Sequence, residues 1–130
     1  MTWKYEFDNT LGIVEVTYTG TVSGKDIHDL TSELLVLEKE KGKIGFLVDT
    51  TQMDYSGSLS DLYELPATQY VKEEADRFNP LAVILSASPK EKKAAEFYEM
   101  VCQNRGWKAK TFEDRQDAIK WLTHELTGLK

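Results

Sequence analysis

In residues 43–62, KIGFLVDTTQMDYSGSLSDL, an apolar run stops abruptly at an acid. Ile44, Gly45, Phe46, Leu47 and Val48 contain nothing polar, and Asp49 ends them. A short run of this kind, bounded by turn residues, reads as a β-strand buried on both faces. The polar residues 50–60 then form a loop leading into a helix. In an open sheet of parallel strands, ligands and partners meet the protein just beyond the carboxyl ends of the strands. Residues 49–61 are therefore the candidate site, with Asp49, Asp54, Tyr55, Ser56, Gly57, Ser58 and the nearby Tyr63 as the partner- or ligand-facing loop.

Downstream, Ser60 is placed to cap a helix running to about Arg77, with Leu62, Leu65, Tyr70 and Val71 as its apolar positions. Pro66 falls inside it and predicts a kink or a split, because proline lacks the N–H that the ladder needs. Asn79-Pro80 breaks the chain, and residues 81–85, LAVIL, form a second fully apolar strand. Ser86 or Ser88 opens a third helix with Pro89 in its first turn; its stripe is Ala94, Phe97, Tyr98, Val101 and Cys102. Residues 107–112 alternate like an edge strand. Glu113 or Asp114 opens a last helix with Ala118, Ile119, Trp121, Leu122 and Leu126 on one side.

Upstream, Gly42 stops a helix whose apolar positions are Ile27, Leu30, Leu34, Leu35 and Leu37. Ser23 and Asp26 resemble a capping box at its start, and Glu33, Glu38, Lys39, Glu40 and Lys41 are read as its solvent side. Before it, Trp3, Tyr5 and Phe7 alternate with charged residues, and residues 11–19 alternate again after the turn Asp8-Asn9-Thr10, so the two runs form a hairpin.

The order is β-β-α-β-α-β-α-β-α, an α/β chain forming one domain over residues 1–130. Right-handed crossovers between strands added in one direction fall on one sheet face, so the four main helices are expected there and the other face is expected to lack helices. The central strands are apolar on both faces, so a second face is expected to lie bare. Trp3, Tyr5 and Phe7 would extend it, and a homodimer is expected to bury it.

The chain carries a net charge of −6, which argues against nucleic acid and anionic membranes as partners. No apolar run approaches the roughly 20 residues of a membrane helix, so no membrane insertion is expected. The start, MTWKYEFDNT, lacks a basic-then-apolar signal, and the single cysteine, Cys102, excludes an internal disulfide framework. A cytoplasmic location is the expectation.

Four stretches, GIVEVTYTGTVSGKDI, IGFLVDTT, LAVILSASP and TFEDRQDAIKWL, together resemble the SpoIIAA-like branch of the STAS (anti-sigma-factor antagonist) superfamily. The resemblance implies a mixed five-stranded sheet with its first strand antiparallel and about four helices. It also implies a regulatory switch, in which a partner kinase phosphorylates a serine of an Asp-Ser-Ser/Thr-Gly segment. Here the matching residues are Asp54, Ser56 and Gly57, but Tyr55 stands at the first hydroxyl position. Ser56 is therefore expected to accept phosphate weakly or not at all. The fold has also been likened to CRAL-TRIO lipid carriers.

No catalytic residues emerge. Asp49 and Asp54 are too few oxygens for a hard cation, and no metal or other cofactor is expected. His28 and His124 fit exposed helical positions, Cys102 fits a core, and GTVSGKD (residues 20–26) lacks the glycine spacing of a phosphate loop. Tyr55, Tyr63 and Tyr70 could line an apolar cavity or simply pack beneath the second helix. The expectation is a non-enzymatic STAS-like regulatory or protein-interaction domain. The alternative is a carrier or sensor of a small apolar, lipid-like ligand held between the second helix and the sheet. A kinked helix around Pro66 above an enclosed cavity would favour the carrier; a flat exposed loop without one would favour the interaction domain.

Overall fold

A computed structural model describes residues 2–128. Five strands form one sheet in the order β1-β2-β3-β4-β5: β1 is Trp3–Asp8, β2 Ile13–Val22, β3 Gly45–Tyr55, β4 Leu81–Ile84 and β5 Ala109–Phe112. The hairpin pairs β1 antiparallel to β2, with Phe7 opposite Val14, and the other neighbours are parallel. Helix α1 (Gly24–Lys41) links β2 to β3. A segmented helix links β3 to β4, made of α2 (Leu59–Glu64), a π-helical turn (Leu65–Gln69) and α3 (Tyr70–Lys72). Helix α4 (Pro89–Asn104) links β4 to β5, and α5 (Arg115–Thr127) follows β5.

The sequential strand order matches the expectation, and so does its consequence for the crossovers. Ile27 and Leu34 of α1, Leu62 of α2, Leu65 of the π turn and Ala94, Tyr98 and Cys102 of α4 share one core with Val14, Val16, Phe46 and Val83 of the sheet. The expectation of a bare second face is corrected. Ala118 and Leu122 of α5 pack there on Ile13, Leu47, Ala82 and Ile84. The handedness rule constrains only a helix between two parallel strands. Among the described residues α5 joins no two parallel strands, so the rule leaves its side of the sheet open. Trp3 and Phe7 are also placed differently: both pack against the crossover core, and the Tyr5 hydroxyl donates to Glu33 of α1 at 3.2 Å. The apolar face that motivated a homodimer is thus covered by the chain itself.

The capping box of α1 is present. The Ser23 hydroxyl accepts from the Asp26 N–H at 3.1 Å, and the Asp26 carboxylate accepts from the Ser23 N–H at 2.9 Å. Ser23→Ala is expected to cost about 1 kcal/mol of stability, read as a lowered urea midpoint at unchanged slope. Gly42 ends the helix at φ 81, as its position suggests. Glu38 is not on the solvent side. It is buried, accepting from the Asn79 side chain at 3.0 Å and the Asp76 N–H at 2.9 Å, while Asn79 accepts from the Ile44 N–H at 3.2 Å. This network ties the end of α1 to the starts of β3 and β4.

Candidate functional site

The predicted polar loop at residues 50–60 is mostly strand. Beyond Asp49, opposite Ile84 of β4, strand β3 continues alone with β2 until Tyr55 meets Val22. The register shifts between Thr17 and Thr19, so both Thr51 and Gln52 are exposed while Thr50 and Tyr55 are buried. That bulge breaks the period-two pattern by which a strand is recognised. The overhanging β2–β3 ribbon has no strand on its β4 side, and its backbone groups need other partners. The Tyr55 N–H donates to the Glu91 carboxylate of α4 at 2.8 Å, and the Thr50 hydroxyl donates to the Ile84 carbonyl at 2.7 Å.

The predicted loop residues are accordingly dispersed. Asp49 accepts from the N–H and hydroxyl of Thr51 at 2.8 and 2.7 Å, closing a local turn. Asp54 pairs with Lys90 at 2.8 Å, and no bond joins it to Asp49. Tyr55 is buried, and its hydroxyl donates to the Ser58 carbonyl at 2.6 Å; burial, then the nearby Asp61 charge, pushes its pKa up to about 12. Gly57 lies directly under that ring, where a Cβ would stand 2.4 Å from the Tyr55 oxygen, so only glycine fits. Ser56 is exposed and its hydroxyl donates to the Val22 carbonyl at 3.2 Å. Ser58, not Ser60, caps α2 in a full capping box with Asp61. Tyr63 points outward and its hydroxyl accepts from Arg105. His28 and His124 are exposed. Among the described residues, no three His, Cys, Asp or Glu side chains gather where they could hold a metal.

What the fold does assemble lies beneath the segmented helix. Pro66 has no N–H for the α-helical bond, and the chain widens into a π turn in which the Tyr70 N–H donates to the Leu65 carbonyl. The Pro66 carbonyl accepts from the Trp107 indole at 3.2 Å, and Trp107 meets Tyr70 edge-to-face at 5.3 Å. Gln69 is buried in this turn. Its amide donates to the His28 carbonyl at 2.9 Å, and its own carbonyl oxygen finds no partner among the described residues.

Under this roof is a cavity of about 130 Å³. Its floor is the crossover face of the sheet, including Val16, Phe46 and Val83, and its roof is Leu62, Leu65 and Tyr70. Tyr98 and Cys102 of α4 close one side, and the Tyr70 and Tyr98 hydroxyls lie 2.5 Å apart. Burial pushes the Cys102 thiol up to about 12, which keeps it protonated and unreactive at neutral pH. Tyr55 and Tyr70 therefore do line this cavity, whereas Tyr63 lies outside it, beside Phe97 and Met100. The sequence locates the helix and its break at Pro66 but does not single out Tyr98 and Trp107 as parts of this site. Both come from later parts of the chain, α4 and the approach to β5.

A family model described as SpoIIAA-like matches residues 13–123. Among solved structures, the chain is similar to an uncharacterized protein of the DUF3478 family with a SpoIIAA-like fold from Shewanella loihica. The two are 19% identical, with 92% of this chain and 91% of the other covered, at a TM-score of 0.57. No curated protein matches. No helix among the described residues is long and apolar enough to cross a membrane.

Proposed function

This chain belongs to the SpoIIAA-like family, and from that premise we propose that it is a non-enzymatic carrier or sensor of a small apolar molecule, bound between the segmented helix and the sheet. The observation that carries the reading is the apolar cavity of about 130 Å³ directly beneath the π turn at Pro66. Packed cores leave few voids larger than a water molecule. An apolar cavity of about 150 Å³ in another protein stays dry and takes up benzene. The volume sets the size of the guest at a single six-membered ring or a short chain; a whole lipid would require the roof to open.

The interaction-domain reading through residues 49–61 has less support. Residues up to Tyr55 are strand, and Ser58 and Asp61 are engaged in the cap of α2. The cavity reading is tested by filling the void. Ala94 is buried on α4 and lines the cavity. Benzene is expected to raise the melting temperature of the wild type in a saturable way, because a ligand that binds only the folded state stabilises it. In Ala94→Leu the added carbons occupy the void, and the shift is expected to vanish without loss of basal stability. Equal shifts in both proteins, or none in the wild type, would refute the reading.

A further inference from the structure

The walls of the cavity are not uniformly apolar, and their polar groups specify the guest further. Tyr70 and Tyr98 both face it, with their oxygens 2.5 Å apart. Each phenol brings one O–H. One hydrogen is spent between the two oxygens, which leaves the second without an oxygen or nitrogen acceptor among the described residues. Tyr98 is hydrogen-bonded to the Cys102 thiol one turn along α4, but sulfur is a weak acceptor that a carbonyl oxygen would replace with gain. A donor already polarised by a neighbouring hydrogen bond is stronger than an isolated one.

The charges around the cavity exclude one class of guest. Lys108 is the cationic side chain lining it, and its ammonium pairs with Glu125 at 3.0 Å. Glu38 and Asp76 also line it and bring negative charge. A carboxylate would lose its hydration, meet no free cation and be repelled by the acids. Burial holds both phenols protonated, so the pair offers a neutral donor at physiological pH.

Resting on the cavity reading above, we propose that the guest is a small neutral molecule with one hydrogen-bond acceptor, a ketone or aldehyde on a ring-sized apolar body, whose carbonyl oxygen accepts from the Tyr70–Tyr98 hydroxyl pair. The pair then acts as a specificity device: it favours such a guest over a hydrocarbon of the same shape and over fatty-acid-like anions.

Four six-membered-ring probes test this by calorimetric titration of the full chain: cyclohexane, cyclohexanone, cyclohexanecarboxylate and cyclohexylammonium. Cyclohexanone is expected to bind roughly fivefold tighter than cyclohexane, the worth of one net hydrogen bond, and both charged probes more weakly than either. In the double variant Tyr70→Phe, Tyr98→Phe the ketone is expected to fall to the hydrocarbon's affinity, while the hydrocarbon is unaffected. The infrared carbonyl stretch of the ketone bound to the wild type provides a readout that needs no variant, and it is expected to shift to lower frequency. Equal affinity of ketone and hydrocarbon, preference for a charged probe, or an unshifted carbonyl band would overturn the proposal while leaving the cavity reading intact. Failure of all four probes to bind would overturn the cavity reading itself.

Discussion

Replacing Leu122 by alanine is expected to lower the unfolding free energy by about 3 kcal/mol, within the range of about 2–5 found for leucine deletions in packed cores. Leu122 is fully buried on α5. It packs with Ala118 against Ile13, Leu47, Ala82 and Ile84, on the face opposite the crossovers. A Cβ added at Gly45 would stand 3.3 Å from a Leu122 methyl, so this side chain closes over β3 where the strand has no side chain of its own. Val36, 63% exposed on α1, serves as the comparison: Val36→Ala is expected to change stability by less than about 0.5 kcal/mol. Urea unfolding of the two variants measures both. A loss below about 1 kcal/mol at Leu122 would contradict the packing of α5 on that face.

The second large effect belongs to Glu91. Its carboxylate is 3% exposed at the start of α4 and accepts the Tyr55 N–H. Burial by itself would raise its pKa. The Ser88 side chain, the Tyr55 N–H, Lys90 and its own N–H more than offset that, and hold it at about 2 against an ordinary 4.5. A depressed carboxylate contributes stability that is fully present above the unfolded value and is lost as pH falls through the folded one. The window therefore runs from about 4.5 down to about 2. The full shift would be worth about 3 kcal/mol, and screening beside the exposed Lys90 reduces this to about 2. Glu91→Gln keeps an oxygen for the Tyr55 N–H but cannot titrate. It is expected to be about 2 kcal/mol less stable than the wild type at neutral pH, with the difference closing towards about pH 2. Parallel stability curves for the two proteins across that window would contradict the role assigned to Glu91.

Strands whose signal is a short apolar run were legible in the sequence, and so were helices with plain caps. Phe46, Leu47 and Val48, then Ala82, Val83 and Ile84, occupy the two central strands, and Ser23, Asp26 and Gly42 bound α1 as read. Two physical causes account for the rest. The bulge opposite Thr17 and Thr19 puts two successive exposed residues, Thr51 and Gln52, into β3, so the second half of that strand looks like a loop. The direction of α5 depends on contacts between Leu122 or Ala118 and residues 34 to 109 positions away in the chain, a distance over which local periodicity carries no information. The candidate site was half legible. Pro66 announced the broken helix, and Tyr70 was singled out near it. Its hydroxyl partner, Tyr98, lies on another helix in a stripe that reads as ordinary core, and nothing local distinguishes it. Glu91, one of six charged residues from Lys90 to Glu99, looked like solvated helix surface until the overhang of β3 gave it a backbone N–H to bind.

Whether the space beneath the π turn is a binding site is read most directly from a methyl-resolved NMR titration with benzene. Saturable shifts are expected on methyl groups that line the cavity, those of Leu62, Leu65, Val83 and Ala94, with the outward-facing Leu59, Val71 and Met100 unmoved. Shifts confined to those exposed residues, or no saturable shift up to the solubility of benzene, would contradict it.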